Sequence, residues 1–158
     1  ERVKLYLSGN LIDTHRESLA ALGSRVIVRP IPPAAEVMTT LARHHIGLTL
    51  DRADSLNLSL TICNKLFLYL QAGLALVATD LPGQMSVLGS HPEVGATYRP
   101  GDTAGLATIL RSMTDPAVLA RRQSAAWELG CTTYSWDIEQ QRFLDAVRTE
   151  TGFRTGSG

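Results

Sequence analysis

Two cysteines, Cys63 and Cys131, are all that this chain of 158 residues contains, and they stand too far apart for a metal-ligand spacing or a disulfide framework. A reducing, cytoplasmic setting is what that usage implies. No apolar run approaches the roughly 20 residues of a membrane-spanning helix. Charge of one sign is also missing, because 15 basic residues face 15 acidic ones. Nothing therefore steers the chain toward nucleic acid or acidic membranes. Neither GxGxxG nor GxxxxGKS/T occurs, so the dinucleotide and P-loop readings lack their motif. His44 and His45 are adjacent and point to different helix faces, while His15 and His91 are isolated. No carboxylate or Cys sits at ligand spacing from the His44-His45 pair, and no metal is expected. No nucleophile elbow supports Ser/His/Asp catalysis. There is no initiator Met and no signal peptide before Glu1-Arg2-Val3-Lys4. A chain that starts partway through a longer protein would read this way.

What is present reads as one globular α/β domain over residues 1–148. Hydrophobic residues make up 44% and charged residues 19%, enough apolar surface for a core. Val3 to Leu7, Arg25 to Arg29, Ile46 to Leu50, Leu74 to Thr79 and Ala96 to Arg99 have strand patterning. Helices are expected from Asp13 or Thr14 to Leu22, closed by Gly23, and over Ala34–Arg43, Leu60–Ala72 and Gln84–Leu88. Three more follow at Asp102–Thr114, Pro116–Leu129 and Ser135–Arg148. Pro30, Pro32 and Pro33 form a stiff connection that cannot be helix interior. Alternation of this kind implies right-handed crossovers and a doubly wound, Rossmann-like parallel sheet of about five strands. Helices would cover both faces and C-terminal helices would follow. Residues 149–158 carry three Gly and no hydrophobic periodicity, and are expected to be a flexible tail.

The segment from Asn64 to Asp80 is the most informative. Its helical run ends at Gly73, and an apolar strand follows at once and stops at Asp80. A strand so short and apolar is buried on both faces, as in a parallel sheet. Ligands of such sheets bind beyond the carboxyl ends of the strands. Ser8-Gly9-Asn10, Asp51-Arg52 and Thr79-Asp80 are the polar residues delivered there, although each also serves as an ordinary loop or cap. Asn57 or Ser59 would cap the helix expected from Leu60, and its first N–H groups would suit a phosphate. Thr61, Asn64, Lys65, Leu68 and Gln71 share one face of that helix, and Leu68 is the apolar exception.

The run from Asn64 to Gln84 resembles the core of the C-terminal, donor-binding domain of retaining, nucleotide-sugar-dependent glycosyltransferases of the GT-B fold. That family runs asparagine-lysine-leucine-phenylalanine-glutamate-tyrosine, a short stretch, then glycine-leucine-proline-valine-valine-alanine-threonine-aspartate. Similar flanks include Leu5-Tyr6-Leu7-Ser8-Gly9, Arg25-Val26-Ile27-Val28, Tyr98-Arg99-Pro100-Gly101-Asp102 and Tyr134-Ser135-Trp136. The resemblance implies a hexose-type donor, a nucleotide diphosphate sugar, transferred to a glycan or lipid acceptor. The base would lie by the backbone at Ile31, and the diphosphate by the Gly9 turn and the loop from Asn57 through Ser59 to Leu60. Thr61, Asn64, Lys65 and Leu68 complete the implied donor-binding set. No catalytic residue is assigned. The leaving diphosphate would be stabilised by protein cations and helix N-termini, with no cofactor or metal.

Three departures stand against that pattern. Two glutamates of the family, eight positions apart, are Leu60 and Leu68 here, and the second of them binds the ribose hydroxyls. Losing a charged acceptor for a hydroxyl costs about 1.5–3 kcal/mol, on the order of ten- to a hundredfold in affinity. Ala75 stands where the family has proline. The resemblance also implies a further first strand of the domain and an N-terminal acceptor domain outside these residues, so the chain alone is expected to be inactive. That other half is an implied partner, as is peripheral membrane association through it.

Two alternatives are a degenerate domain kept for binding or assembly, and a flavodoxin-like or receiver module. The last needs an acidic cluster where Ser8-Gly9-Asn10 stands. Trp136, Ile138, Phe143, Leu144 and Val147 on the final helix would leave apolar surface exposed in the isolated chain. Light scattering at high concentration is accordingly expected to detect self-association, and a strict monomer would contradict it.

Overall fold

The computed structural model describes residues 3–10 and 13–151. Its backbone divides into two compact units, Glu1–Thr40 and Leu41–Gly158. In the first, strand β1 (Leu5–Ser8) pairs in parallel with β2 (Val26–Arg29), Leu5 opposite Val26. Helix α1 (Asp13–Ala20) makes the crossover, and Gly23, at φ 79°, turns the chain into β2. A 3₁₀ turn at Ala34–Glu36 then leads into the short α2 (Val37–Leu41), where one helix from Ala34 to Arg43 is expected.

The second unit holds the larger core. Strands β3 (Ile46–Thr49), β4 (Ala75–Thr79) and β5 (Gly95–Tyr98) form a parallel sheet in that order. All five residues of β4 are buried, as its apolar run implies. Its alternation divides the core in two. Leu76 and Ala78 face Leu66 and Leu70 of α4 (Asn64–Gln71), Val87 and Leu88 of α5 (Pro82–Leu88), and Ala126 and Leu129 of α7 (Pro116–Thr132). Ala75 and Val77 face Met113, together with Leu106 and Ile109 of α6 (Thr103–Ser112). Asp102 caps α6 through Gly105 N at 2.8 Å, and Asp115 caps α7 through Ala117 N at 2.8 Å. The last helix, α8 (Trp136–Thr151), extends into the expected tail, while residues 152–158 lie outside the described ones.

Two expectations are corrected. The five strands pair as a two-stranded and a three-stranded parallel sheet, not as one doubly wound sheet. Apolar alternation marks a strand but says nothing about its lateral partner, and that is where the expectation failed. The helix expected over Leu60–Ala72 is broken into α3 (Leu56–Leu60) and α4, with Thr61 and Cys63 extended at ψ 133° and 139°. β-Branched Thr61 and Ile62 disfavour helix, and the Thr61 hydroxyl donates back to Asn57 O at 2.7 Å. The break is also packed in place. A Cβ on Gly83 would lie 2.5 Å from Thr61 O and 2.7 Å from Leu60 O, so α5 presses directly on this backbone. No described helix is long and apolar enough to cross a membrane.

Gly130 of α7 makes a similar approach to α4, where an added Cβ would sit 2.7 Å from the Leu70 carbonyl carbon and 2.8 Å from Gln71 N. Alanine normally favours a helix by about 1 kcal/mol over glycine. Here the backbone contact outweighs that gain, and Gly130→Ala is expected to destabilise the fold by about 1–3 kcal/mol. Urea denaturation checks this, and a stabilised variant would contradict the packing.

Candidate functional site

The carboxyl ends of β3 and β4 converge on a buried amide. Pro82 opens α5, and Gly83 lets its first turn lie against Leu60 and Thr61. The next residue, Gln84, is thereby carried to the sheet edge with none of its surface exposed. Its Oε1 accepts a hydrogen bond from the Thr49 hydroxyl. Its Nε2 donates to Asp51 Oδ2 at 2.8 Å, and at longer range to Thr49 O (3.3 Å) and Thr79 Oγ1 (3.4 Å). One side chain thus joins the end of β3, the loop after it and the end of β4.

Asp51 carries this cluster toward solvent. Its Oδ1 lies 3.9 Å from Lys65 Nζ in the first turn of α4, and the two side chains are 24% and 55% exposed. Cys63 stands beside them. Burial pushes its thiol above the usual range, and the Asp51 carboxylate adds to the rise, against a lowering hydrogen bond with the Leu66 backbone. Cys63 is therefore a neutral donor near neutral pH and a poor nucleophile. Among the described residues no three His, Cys, Asp or Glu side chains gather to hold a metal ion.

The expected site residues are placed as follows. Lys65 joins the Asp51–Gln84 cluster. Asn64 is exposed at the start of α4, and Leu68 is half-buried one turn beyond Lys65. Asn57, Ser59 and Leu60 lie within α3, and Leu60 is 59% exposed. The capping expectation there is corrected. Ser55, not Asn57 or Ser59, caps α3, accepting from Leu58 N at 3.2 Å, and the Ser59 hydroxyl donates to Ser55 O at 3.0 Å. Thr61 sits in the break and does not share a helix face with Asn64, Lys65, Leu68 and Gln71.

Gly9 and Ile31 belong to the first unit. Gly9 N donates to Arg29 O at 3.2 Å, and Ile31 is exposed. Gly9, Asn10, Val28, Arg29 and Pro30 line a cavity of about 250 Å³ there, and the Arg29 guanidinium lies 5.2 Å over the Tyr6 ring. Sequence reasoning missed Gln84. Its signal was spacing, because Val87 and Leu88, three and four residues on, are apolar and place Gln84 on the buried side of α5.

No family model matches the chain, and no curated protein matches it in sequence. Its fold has a counterpart in the crystal structure of TarM. That match has a TM-score of 0.66 at 16% sequence identity, and it covers 90% of this chain and 28% of TarM's. The likeness is one of fold. TarM is a glycosyltransferase, so the chain has a fold that glycosyltransferases use.

The Cys63 environment has a chemical consequence. Thiolate, not thiol, reacts with alkylating agents, and a raised pKa leaves little thiolate at about pH 8. Exposed Cys131 is therefore expected to react with iodoacetamide faster than half-buried Cys63. The gap should narrow as pH climbs beyond the ordinary value of 9.0, where Cys63 begins to ionise. Peptide mass spectrometry over a labelling time course checks both, and equal rates would contradict the assigned environment.

Proposed function

We propose that this chain is the donor-binding part of a nucleotide-sugar-dependent glycosyltransferase of the GT-B type. The observation that carries the reading is the fold likeness to TarM across 90% of the chain. The Asn64–Asp80 run supports it independently, since it supplies both the buried strand β4 and the Lys65 helix bordering its carboxyl end. The donor is a nucleotide diphosphate sugar of hexose type, and the acceptor is a glycan or lipid held by a further, N-terminal domain. Transfer needs that domain, so this chain alone binds without turning over. The protein works in the cytoplasm, without a metal, and meets membranes peripherally if its acceptor is a lipid.

Cationic and dipolar stabilisation of the leaving diphosphate is the chemistry asked of such a site. Lys65 is a cation at the strand edge, carried in the first turn of α4. Leu60 and Leu68 favour a second reading, a domain that has lost tight nucleotide recognition and serves assembly. Neither can accept a hydrogen bond.

Calorimetric titration of the folded chain with UDP, GDP, ADP and CDP distinguishes the two. Binding of at least one is expected, and no heat from any of them would overturn the donor-binding reading. Leu68→Glu restores an acceptor and is expected to tighten binding by roughly ten- to a hundredfold. An unchanged affinity would mean that Leu68 does not face the nucleotide.

A further inference from the structure

Asp51 is a carboxylate held from beneath by a side chain that cannot turn. The Gln84 amide is wholly buried, and such a group is tolerated only with its hydrogen bonds made. Its oxygen is committed to the Thr49 hydroxyl, which fixes the nitrogen toward Asp51 Oδ2 at 2.8 Å. The other oxygen of Asp51 is 3.9 Å from the Lys65 ammonium, beyond hydrogen-bond length, and the carboxylate retains 24% exposure. Exposed ion pairs of this geometry contribute little to stability. A carboxylate offers about four lone-pair sites, and the Gln84 amide and the neighbouring Cys63 thiol do not fill them. Asp51 thus presents an accessible, oriented acceptor at the carboxyl edge of β3, where parallel sheets bind ligands.

We propose that Asp51 accepts a hydrogen bond from a hydroxyl of the bound nucleotide sugar, and that Gln84 is the positioning residue that aims it. The inference rests on the donor-binding reading above. Lys65 offsets the repulsion that a lone carboxylate would exert on the ligand's phosphates. Ribose and hexose both carry suitable hydroxyls, and the same acceptor chemistry recognises either.

Calorimetry with UDP, GDP, ADP and CDP, their 2′,3′-dideoxy forms and their glucose conjugates tests this on the wild-type chain, Asp51→Ala and Gln84→Met. If the contact is to ribose, the wild type loses roughly ten- to a hundredfold in affinity for the dideoxy forms. If it is to hexose, the glucose conjugates gain by a similar factor. Asp51→Ala is expected to erase whichever preference exists. It leaves Gln84 with Thr49 O and Thr79 Oγ1 as acceptors, so the fold is retained. Gln84→Met should shrink the same ratio, with its melting temperature recorded alongside. A lower melting temperature with the ratio intact overturns the positioning role. A ratio unchanged in Asp51→Ala, or no preference in the wild type, overturns the hydroxyl contact while nucleotide binding stands. Failure of all four nucleotides to bind overturns the donor-binding reading and this inference with it.

Discussion

β4 gives no residue to solvent, and most of the second unit follows from that. A strand with both faces buried needs hydrogen-bonding neighbours on either side and apolar helices above and below. β3 and β5 supply the first, and the helices α4, α5, α7 and α6 supply the second. Along such a strand no polar side chain is tolerated unless it is bonded. Polar chemistry is therefore pushed to the strand's end, where Thr79 meets the Gln84 amide.

Close backbone approach is the second organising device. Where Gly83 meets Leu60 and Thr61, and where Gly130 meets Leu70 and Gln71, no Cβ fits between two main chains. The first contact carries Gln84 to the sheet edge. The second sets α7 against α4, the helix that bears Lys65. Two glycines far apart in sequence thus let α5 and α7 lie directly on neighbouring main chains.

Much of this was legible beforehand. β4 announced itself by an unbroken apolar run between Gly73 and Asp80, and Gly73 does adopt a positive φ of 67°. The break at Thr61 was less legible. Helical spacing continues through it, and only β-branching with the pressure of Gly83 shows why the helix stops. The Asp51–Gln84–Lys65 cluster was not legible as a unit, because its members lie on three elements whose proximity no spacing rule encodes.

Local pattern and turn chemistry by themselves determined the alternation of strands and helices and which strand is buried. These properties depend on residues within a turn or two of one another. Which strands pair, how α3 separates from α4 and which polar side chains meet at the strand ends were decided only in the tertiary structure. Each of those depends on contacts between distant segments, and a single glycine or a single buried amide selects among arrangements that the local pattern permits equally.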